Sequence, residues 1–179
     1  MCGIVGYIGI KNSKEVILKG LTRLEYRGYD SAGIAVLSNG IKQLKTSGKV
    51  VELNQKCIDE KLPQSQIGIG HTRWATHGVP NNINAHPHQD YSGKFTLVHN
   101  GIIENYLTLK KYLIQNGIDC VTDTDTEVLV QLISYIYHKD KISFEDAVRL
   151  ALNKVVGAYG IAVLCEDEPN KIIAANLGS

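Results

Sequence analysis

Residues 3–10, with the sequence GIVGYIGI, form a short apolar segment that gives the first indication of the fold. Glycine and β-branched residues dominate the segment, and this composition is typical of a buried strand. Cys2 directly precedes it, so the strand would hold that cysteine rigidly at its end. The sequence therefore predicts a core strand that begins beside a cysteine.

Helical and strand-like periods alternate along the rest of the chain. The strands predicted after the first one cover residues 32–37, 41–46, 67–72, 95–98, 157–165 and 171–175. The predicted helices cover residues 12–28, 50–60, 103–115, a segment capped by Thr124 and Glu127, and residues 143–154. Several predicted strands follow one another directly, joined by short hairpins such as Asn39–Gly40, and several helices do the same. This grouping predicts an α+β fold. We expect antiparallel sheets with helices outside them.

Length and charge exclude several classes of protein. The chain has 179 residues, and 19 basic against 18 acidic side chains give a formal net charge of +1. This length fits one domain or two small ones, and the charge balance excludes a polybasic nucleic-acid or membrane-surface protein. No apolar run approaches the roughly 20 residues of a spanning helix, and the N-terminus lacks the basic region of a signal peptide. We expect a cytoplasmic enzyme or binding domain without nucleic-acid or membrane partners.

Five of the six histidines fall in a short part of the sequence, which raises the question of a metal site. They are His71, His77, His86, His88 and His99, and a long polar stretch over residues 73–94 contains three of them. Loops of this length are usually functional. No cysteine pair or HExxH helix accompanies the histidines, so hydrogen bonds to loop backbone are the favoured interpretation. We predict no metal and no cofactor.

One of the four cysteines, Cys2, differs from the other three because it lies next to the N-terminus. Cys57, Cys120 and Cys165 lie in apolar or helical surroundings without the flanking signature of a papain-type nucleophile, and no CxxC motif or close pair occurs. Cys2 would become the first residue after removal of Met1. An α-amine has a pKa of about 7.7–8.0 against about 10.4 for lysine, so an N-terminal cysteine carries a nucleophile and a usable base together.

Six motifs occur in order along essentially the whole chain. They are MCGIVGYIG (1–9), LEYRGYDSAG (24–33), GHTRWATHG (70–78), NAHPH (84–88), HNGIIENY (99–106) and TDTE (124–127). Together they resemble the N-terminal glutaminase domain of the glucosamine-6-phosphate synthase family, the glutamine:fructose-6-phosphate amidotransferases. The resemblance implies an N-terminal-nucleophile (Ntn) hydrolase fold, an αββα sandwich with two antiparallel sheets between helical layers.

The resemblance also implies an activity and its partners. Residues 1–179 would form a single type-2 glutamine amidotransferase domain that hydrolyses L-glutamine to glutamate and ammonia through a thioester on Cys2. In the full enzyme a C-terminal sugar-phosphate isomerase domain binds fructose-6-phosphate and uses the ammonia, and the enzyme is a homo-oligomer. That half is absent from the 179 residues considered.

The family's functional residues match positions of this sequence. By resemblance, Cys2 is the nucleophile, and the Asn100 amide and Gly101 N–H form the oxyanion hole. The substrate-binding residues are Arg73 for the α-carboxylate, Asp125 for the α-ammonium, Gly101 through its carbonyl, and Trp74, Thr76 and His77 in the substrate loop. Arg27 would order the surroundings of the nucleophile.

Each assignment has a simpler structural alternative. Asn100–Gly101 could be a turn, Asp125 a first-turn acid stabilised by the helix dipole, and Arg27 a partner of Glu25 or Asp30. Two other functions also remain open. One is the glutaminase domain of another Ntn amidotransferase, which the TRWATHG and HNGIIEN motifs disfavour. The other is a noncatalytic amino-acid-binding regulatory domain.

Overall fold

Strands and helices alternate along the chain in nearly the predicted order. A computed structural model describes residues 2–27, 29–73 and 81–178, with the side chain of Arg27 excluded. The described strands are β1 (Gly3–Ile8), β2 (Ser31–Leu37), β3 (Ile41–Thr46), β4 (Ile67–Arg73), β5 (His88–Gln89), β6 (Phe95–Ile103), β7 (Gly157–Cys165) and β8 (Ile172–Leu177). The described helices are α1 (Ser13–Leu24), α2 (Val50–Asp59), α3 (Tyr106–Gln115), α4 (Asp125–Asp140) and α5 (Phe144–Leu152), and a 3₁₀ turn (Glu25–Arg27) follows α1.

The strands form two four-stranded sheets, and every neighbouring pair is antiparallel. The first sheet has the order β1-β4-β2-β3 and the second the order β5-β6-β7-β8. Helices α1 and α2 pack on the first sheet, and α4 packs on the second together with α3 and α5. The predicted arrangement of two antiparallel sheets between helical layers is therefore confirmed.

Three apolar clusters fill the three spaces between these four layers. The first lies between α1, α2 and the first sheet, the second between the two sheets, and the third between the second sheet and the remaining helices. Fully buried members are Ile17 and Leu53 in the first cluster, Ile69 and Leu164 in the second, and Phe95 and Leu129 in the third. Burial on both faces explains why β2 is a nearly continuous apolar run, whereas β4 is apolar in its first half and ends in the buried polar residues His71, Thr72 and Arg73.

Strand β6 is longer than its sequence predicts. It runs through Asn100 and Gly101 to Ile103, where the sequence pattern places the start of a helix, and α3 begins only at Tyr106. The reason is its pairing with β7 along the whole length, with Asn100 opposite Gly160. Tertiary pairing thus overrides the local turn preference of the Asn–Gly pair.

The start of α4 follows the capping prediction in part. The Thr124 hydroxyl accepts a hydrogen bond from the Glu127 N–H at 3.2 Å, as expected of an N-cap. The Glu127 carboxylate does not return to Thr124 but accepts the N–H groups of Val121 and Thr122, at 2.9 and 2.6 Å. It therefore fixes the segment that leads into α4, and with it the first residue of the helix.

Among the described residues, no helix is both long and apolar enough to cross a membrane. The longest of them, α4, has 16 residues.

Candidate active site

One cavity of about 1050 Å³ opens where the ends of the two sheets meet the start of α4. Its wall includes residues from β1, β4 and β6 and from the edge strand β8. Five predicted site residues line it together: Cys2, Arg73, Asn100, Gly101 and Asp125. Four further predicted residues, Trp74, Thr76 and His77 and the side chain of Arg27, lie outside the described part of the chain.

The first sheet supplies Cys2, and the second supplies the side chain that lies next to it. Cys2 precedes β1 and is half-buried. The Asn100 amide, from the centre of β6, donates through Nδ2 to the Cys2 carbonyl oxygen at 3.4 Å. On its other side, Asn100 Oδ1 lies 2.8 Å from His71 Nε2. A hydrogen bond between sheets therefore places a donor-bearing amide beside the thiol residue.

Gly101 follows Asn100 within β6 and has a φ of +119°. A Cβ at this position would lie 2.1 Å from the Ala158 carbonyl oxygen on the paired strand β7. Both the backbone conformation and the close approach of β7 therefore require glycine. The exposed backbone of Gly101 remains accessible from the cavity.

Arg73 is the last residue of β4, and only 4% of its surface is exposed. Its Nη1 lies 3.9 Å from Asp30 Oδ1, and its carbonyl oxygen accepts the Asp30 N–H at 2.7 Å. Asp30 also accepts a hydrogen bond from the Ser31 hydroxyl at 2.8 Å. A buried guanidinium held in this way presents a fixed planar set of donors at the cavity wall.

Asp125 is the first residue of α4, with 6% of its surface exposed. Its Oδ2 accepts the Ile103 N–H at 2.8 Å, and the Thr126 hydroxyl lies 3.4 Å from its Oδ1. The helix N-terminus favours a negative charge at this point. The carboxylate is thus fixed across the cavity from the sheet that carries Arg73.

Four histidines, His71, His86, His88 and His99, form a buried cluster beside the cavity, and all but His88 contribute to its wall. The rings of His71 and His86 stack with centroids 4.2 Å apart, and the centroids of His86 and His88 are 4.9 Å apart. Burial is the main reason why the pKa of His71 falls to about 4 and those of the other three lie below their ordinary value. All four are therefore neutral near pH 7.

The hydrogen bonds of this histidine cluster go both to side chains and to backbone, including the backbone of the loop residue Asn84 for His88, so the sequence-based interpretation holds in part. His86 Nδ1 accepts the His99 N–H at 3.2 Å, which is a backbone contact. His88 Nε2 pairs with the Thr124 hydroxyl at 3.1 Å and His99 Nδ1 with the Thr126 hydroxyl at 3.0 Å. Across residues 2–27, 29–73 and 81–178, no group of three potential ligands is arranged to hold a metal ion.

The three internal cysteines lie away from the cavity. Burial raises the pKa of Cys57, Cys120 and Cys165 to about 11 in each case. None of the four cysteines is in a disulfide. At neutral pH these three thiols are protonated and therefore poor nucleophiles.

Sequence reasoning considered His71 only as a possible metal ligand and did not consider Thr126, although both line the cavity. Strand alternation was a usable signal for His71, because residues two apart in β4 share a face and His71 precedes Arg73 by two. Thr126 gave no such signal, because its three partners (His86, His99 and Asp125) come from distant parts of the chain or from the helix start.

Curated relatives match almost the entire chain. The glutamine–fructose-6-phosphate aminotransferase (isomerizing) of Caldanaerobacter subterraneus subsp. tengcongensis is 50% identical over 175 residues, which are 98% of this chain and 28% of the relative. The enzyme of the same name from Bacteroides thetaiotaomicron is 52% identical over 181 residues, covering 100% of this chain and 29% of the relative. The chain thus spans less than a third of the length of these relatives.

Solved structures agree on the fold. The glutamine phosphoribosylpyrophosphate amidotransferase of B. subtilis, with ADP and GMP, has a TM-score of 0.78 and 27% identity, covering 93% of this chain and 35% of that one. An allosteric regulatory enzyme of purine biosynthesis has a TM-score of 0.83 and 27% identity, covering 98% and 37%. The predicted Ntn fold is confirmed. The sequence profile of the glutamine amidotransferase domain matches residues 52–143, just over half of the chain, and the chain belongs to that family.

Proposed function

We propose that this domain hydrolyses L-glutamine to glutamate and ammonia through a γ-glutamyl thioester on Cys2. The observation that carries the proposal is the shared cavity. It joins the Cys2 thiol and the Asn100 amide to a buried cation, Arg73, and a buried anion, Asp125. A glutamine molecule has groups that match each of these in charge and hydrogen bonding.

The first half of the reaction forms the thioester. The Cys2 sulfur attacks the side-chain amide carbon, and the thiol proton moves to the α-amine of the same residue. The resulting oxyanion accepts hydrogen bonds from Asn100 Nδ2 and the Gly101 N–H, which stabilise its developing charge. The C–N bond then breaks, and the α-ammonium returns its proton to the departing nitrogen, so that ammonia leaves.

The second half hydrolyses the thioester. Water attacks the thioester carbon while the α-amine of Cys2 accepts a proton from it. The same two donors hold the second oxyanion. Collapse breaks the C–S bond, the proton returns to sulfur, and glutamate leaves with the thiol restored.

Recognition of the amino-acid end falls to the two buried charges. The planar guanidinium of Arg73 suits a carboxylate through paired hydrogen bonds, and Asp125 suits the α-ammonium. Because both are fixed by contacts within the fold, they would orient the substrate with its amide toward Cys2. Trp74, Thr76 and His77 would complete the site in the substrate loop, and Arg27 would order the nucleophile.

The mechanism requires a free α-amine on Cys2, and therefore a mature chain from which Met1 has been removed. An amide nitrogen does not accept a proton near neutral pH, so a residue ahead of Cys2 removes the base. A non-cleavable N-terminal extension should abolish ammonia release while leaving the melting temperature nearly unchanged. Full activity in a chain shown by mass spectrometry to retain Met1 would assign the base to another group, such as His77.

In the full-length protein, the ammonia would be transferred to fructose-6-phosphate on a C-terminal isomerase domain to give glucosamine-6-phosphate. The names of the two curated relatives support this assignment. A cytoplasmic location is consistent with four free cysteines, since thiols persist in reducing compartments. A homo-oligomer is expected of the full-length enzyme.

The experiment that tests the function combines ammonia release with labelling. The chain beginning at Cys2 is incubated with glutamine, and separately with a glutamine-mimicking electrophile, followed by intact mass and peptide mapping. We expect ammonia and glutamate in equal amounts and a single label on Cys2. Binding of glutamate without ammonia release would instead support a noncatalytic amino-acid-binding domain, and a label on another cysteine would overturn the mechanism.

A further inference from the structure

The Asn100 side chain does not by itself determine whether the N–H₂ or the C=O end of its amide faces the Cys2 thiol. The terminal torsion of an asparagine is broad and roughly two-fold, so the N–H₂ and C=O ends exchange at little cost unless partners distinguish them. The two orientations have opposite effects on an oxyanion, because the N–H₂ end attracts it and the C=O end repels it.

Two partners hold the amide in the useful orientation. The Cys2 carbonyl oxygen can only accept, so the group 3.4 Å from it is the N–H₂ end. The other end, Oδ1, can also only accept, and it lies 2.8 Å from His71 Nε2. His71 must therefore carry its proton on Nε2.

The His71 ring is itself fixed from several sides. It lies on β4 with Ile4 of β1 and Gly33 of β2 as its register partners, and none of its surface is exposed. The ring of His86 stacks on it at 4.2 Å with planes 18° apart, which restricts rotation about its side-chain bonds. A histidine of the first sheet thus determines the geometry of a side chain on the second.

We propose that His71 is a positioning residue that holds the Asn100 amide with its N–H₂ end toward the oxyanion formed at Cys2. This inference rests on the proposed glutaminase function. His71 does not touch the reacting atoms and takes no part in proton transfer. Without its Nε2–H, only the 3.4 Å contact with the Cys2 carbonyl oxygen holds the amide, which can then turn its carbonyl oxygen toward the developing charge or swing away from it.

A matched pair of substitutions tests this role, namely His71→Met and His71→Gln. Both side chains are unbranched and of similar length, but only glutamine offers an N–H near the position of Nε2. We expect kcat for ammonia release to fall about 10–100-fold in His71→Met, as for a displaced catalytic group. His71→Gln should recover most of the rate, while KM for glutamine and the Kd for glutamate stay near wild type in both.

Alkylation of Cys2 by iodoacetamide separates positioning from general damage. This substitution reaction forms no oxyanion, so its rate should be unchanged in His71→Met although turnover has fallen. His88→Gln, which alters a buried histidine bonded to Thr124, serves as the control and should keep kcat. Equal kcat values in the Met and Gln variants, or parallel losses of alkylation and turnover, would overturn the proposal.

A measurement on the unmodified protein keeps the test valid if His71→Met fails to fold. Long-range ¹H–¹⁵N correlation spectra distinguish the two neutral tautomers of histidine, and His71 should show the Nε2–H form. The Nδ1–H form would overturn the proposal while leaving the glutaminase function intact. An unmodified chain that releases no ammonia would instead contradict the function itself.

Discussion

The two ends of the cavity are built differently. At the end proposed to bind the amino acid, Arg73 and Asp125 are almost completely buried and each is tied to the backbone of a neighbouring segment. At the reaction end, Cys2 and Asn100 are half-buried and Gly101 is exposed. The residues proposed to bind the amino acid are therefore part of the framework of the fold, whereas those proposed to react, just before β1 and within β6, remain partly accessible from the cavity.

This contrast teaches how substitutions should behave. A change at the proposed amino-acid end that also breaks a contact of the folded chain should lower stability and binding together. A change at the reaction end removes chemistry from a site that contributes little to packing. The following predictions test whether substitutions at the two ends of the cavity differ in this way, from the largest expected effect to the smallest.

Cys2→Ala should lower ammonia release by at least about 10⁴-fold, because the nucleophile is lost and the remaining groups cannot replace it. Cys2→Ser should be nearly as inactive, since a hydroxyl is a poorer nucleophile with a far higher pKa. The Kd for glutamate and the melting temperature should change little. Calorimetric titration with glutamate and a thermal scan check both points, and substantial turnover in the alanine variant would contradict the mechanism.

Asp125→Asn should weaken transition-state binding of glutamine by about 1.5–3 kcal/mol, since a charged hydrogen bond to the α-ammonium is lost. The asparagine oxygen can still accept the Ile103 N–H, so most of the stability should remain. The comparison of glutamine with its N-acetylated analogue measures the effect. The variant should lose discrimination between the two, and an unchanged preference for the free amine would show that Asp125 faces another group.

The unfolding free energy should fall as the pH is lowered. The folded chain holds the pKa of His71 at about 4, so the unfolded chain binds more protons below about pH 6.5 and gains stability from them. His71 alone accounts for a loss of about 2 kcal/mol between about pH 7 and pH 5, and the other three histidines act in the same direction. Urea unfolding at several pH values measures how steeply the unfolding free energy changes with pH.

A His88→Gln variant provides the control for this slope, because it removes one group whose pKa is lowered in the folded state. Its stability should depend less steeply on pH than that of the unmodified chain. An identical slope would show that the histidine cluster does not govern the acid response.

Arg73→Lys should reduce kcat/KM for glutamine about tenfold, because the charge is kept but the paired geometry is lost. The α-carboxamide analogue of glutamine should be affected less than glutamine. If both substrates lose the same factor, Arg73 does not bind the α-carboxylate. Kinetics with the two substrates in parallel make this comparison.

Cys120→Ala should leave kcat and KM unchanged, the smallest effect of the series. Burial raises the pKa of this thiol to about 11, so it is neither a nucleophile nor a ligand near neutral pH. It also serves as the cysteine control for Cys2→Ala. Steady-state ammonia assays on the two variants side by side are sufficient, and a large loss in Cys120→Ala would contradict the assignment of Cys120 as a structural thiol outside the cavity.

Much of the fold could be predicted because the local preferences of turn and helix-capping residues agree with the structure that these segments adopt in the folded chain. The hairpin at Asn39–Gly40 has a positive φ at both residues, and Thr124 and Ser143 cap the helices that they precede. The extension of β6 through Asn100 could not be predicted, since it depends on pairing with β7, some 60 residues further along the chain. Local preference and long-range pairing disagree there, and pairing wins because it satisfies the backbone groups of both strands.

The sequence by itself determined the layered α+β architecture, the family and the residues proposed to react and to bind, because apolar periodicity and ordered motifs are properties of the chain. The tertiary structure decided how those residues act together. It brought Cys2 and Asn100 from different sheets into contact, buried Arg73 and Asp125 on the same cavity, and placed His71 behind the amide. Such arrangements depend on packing and on hydrogen bonds between residues far apart in sequence, which no local pattern specifies.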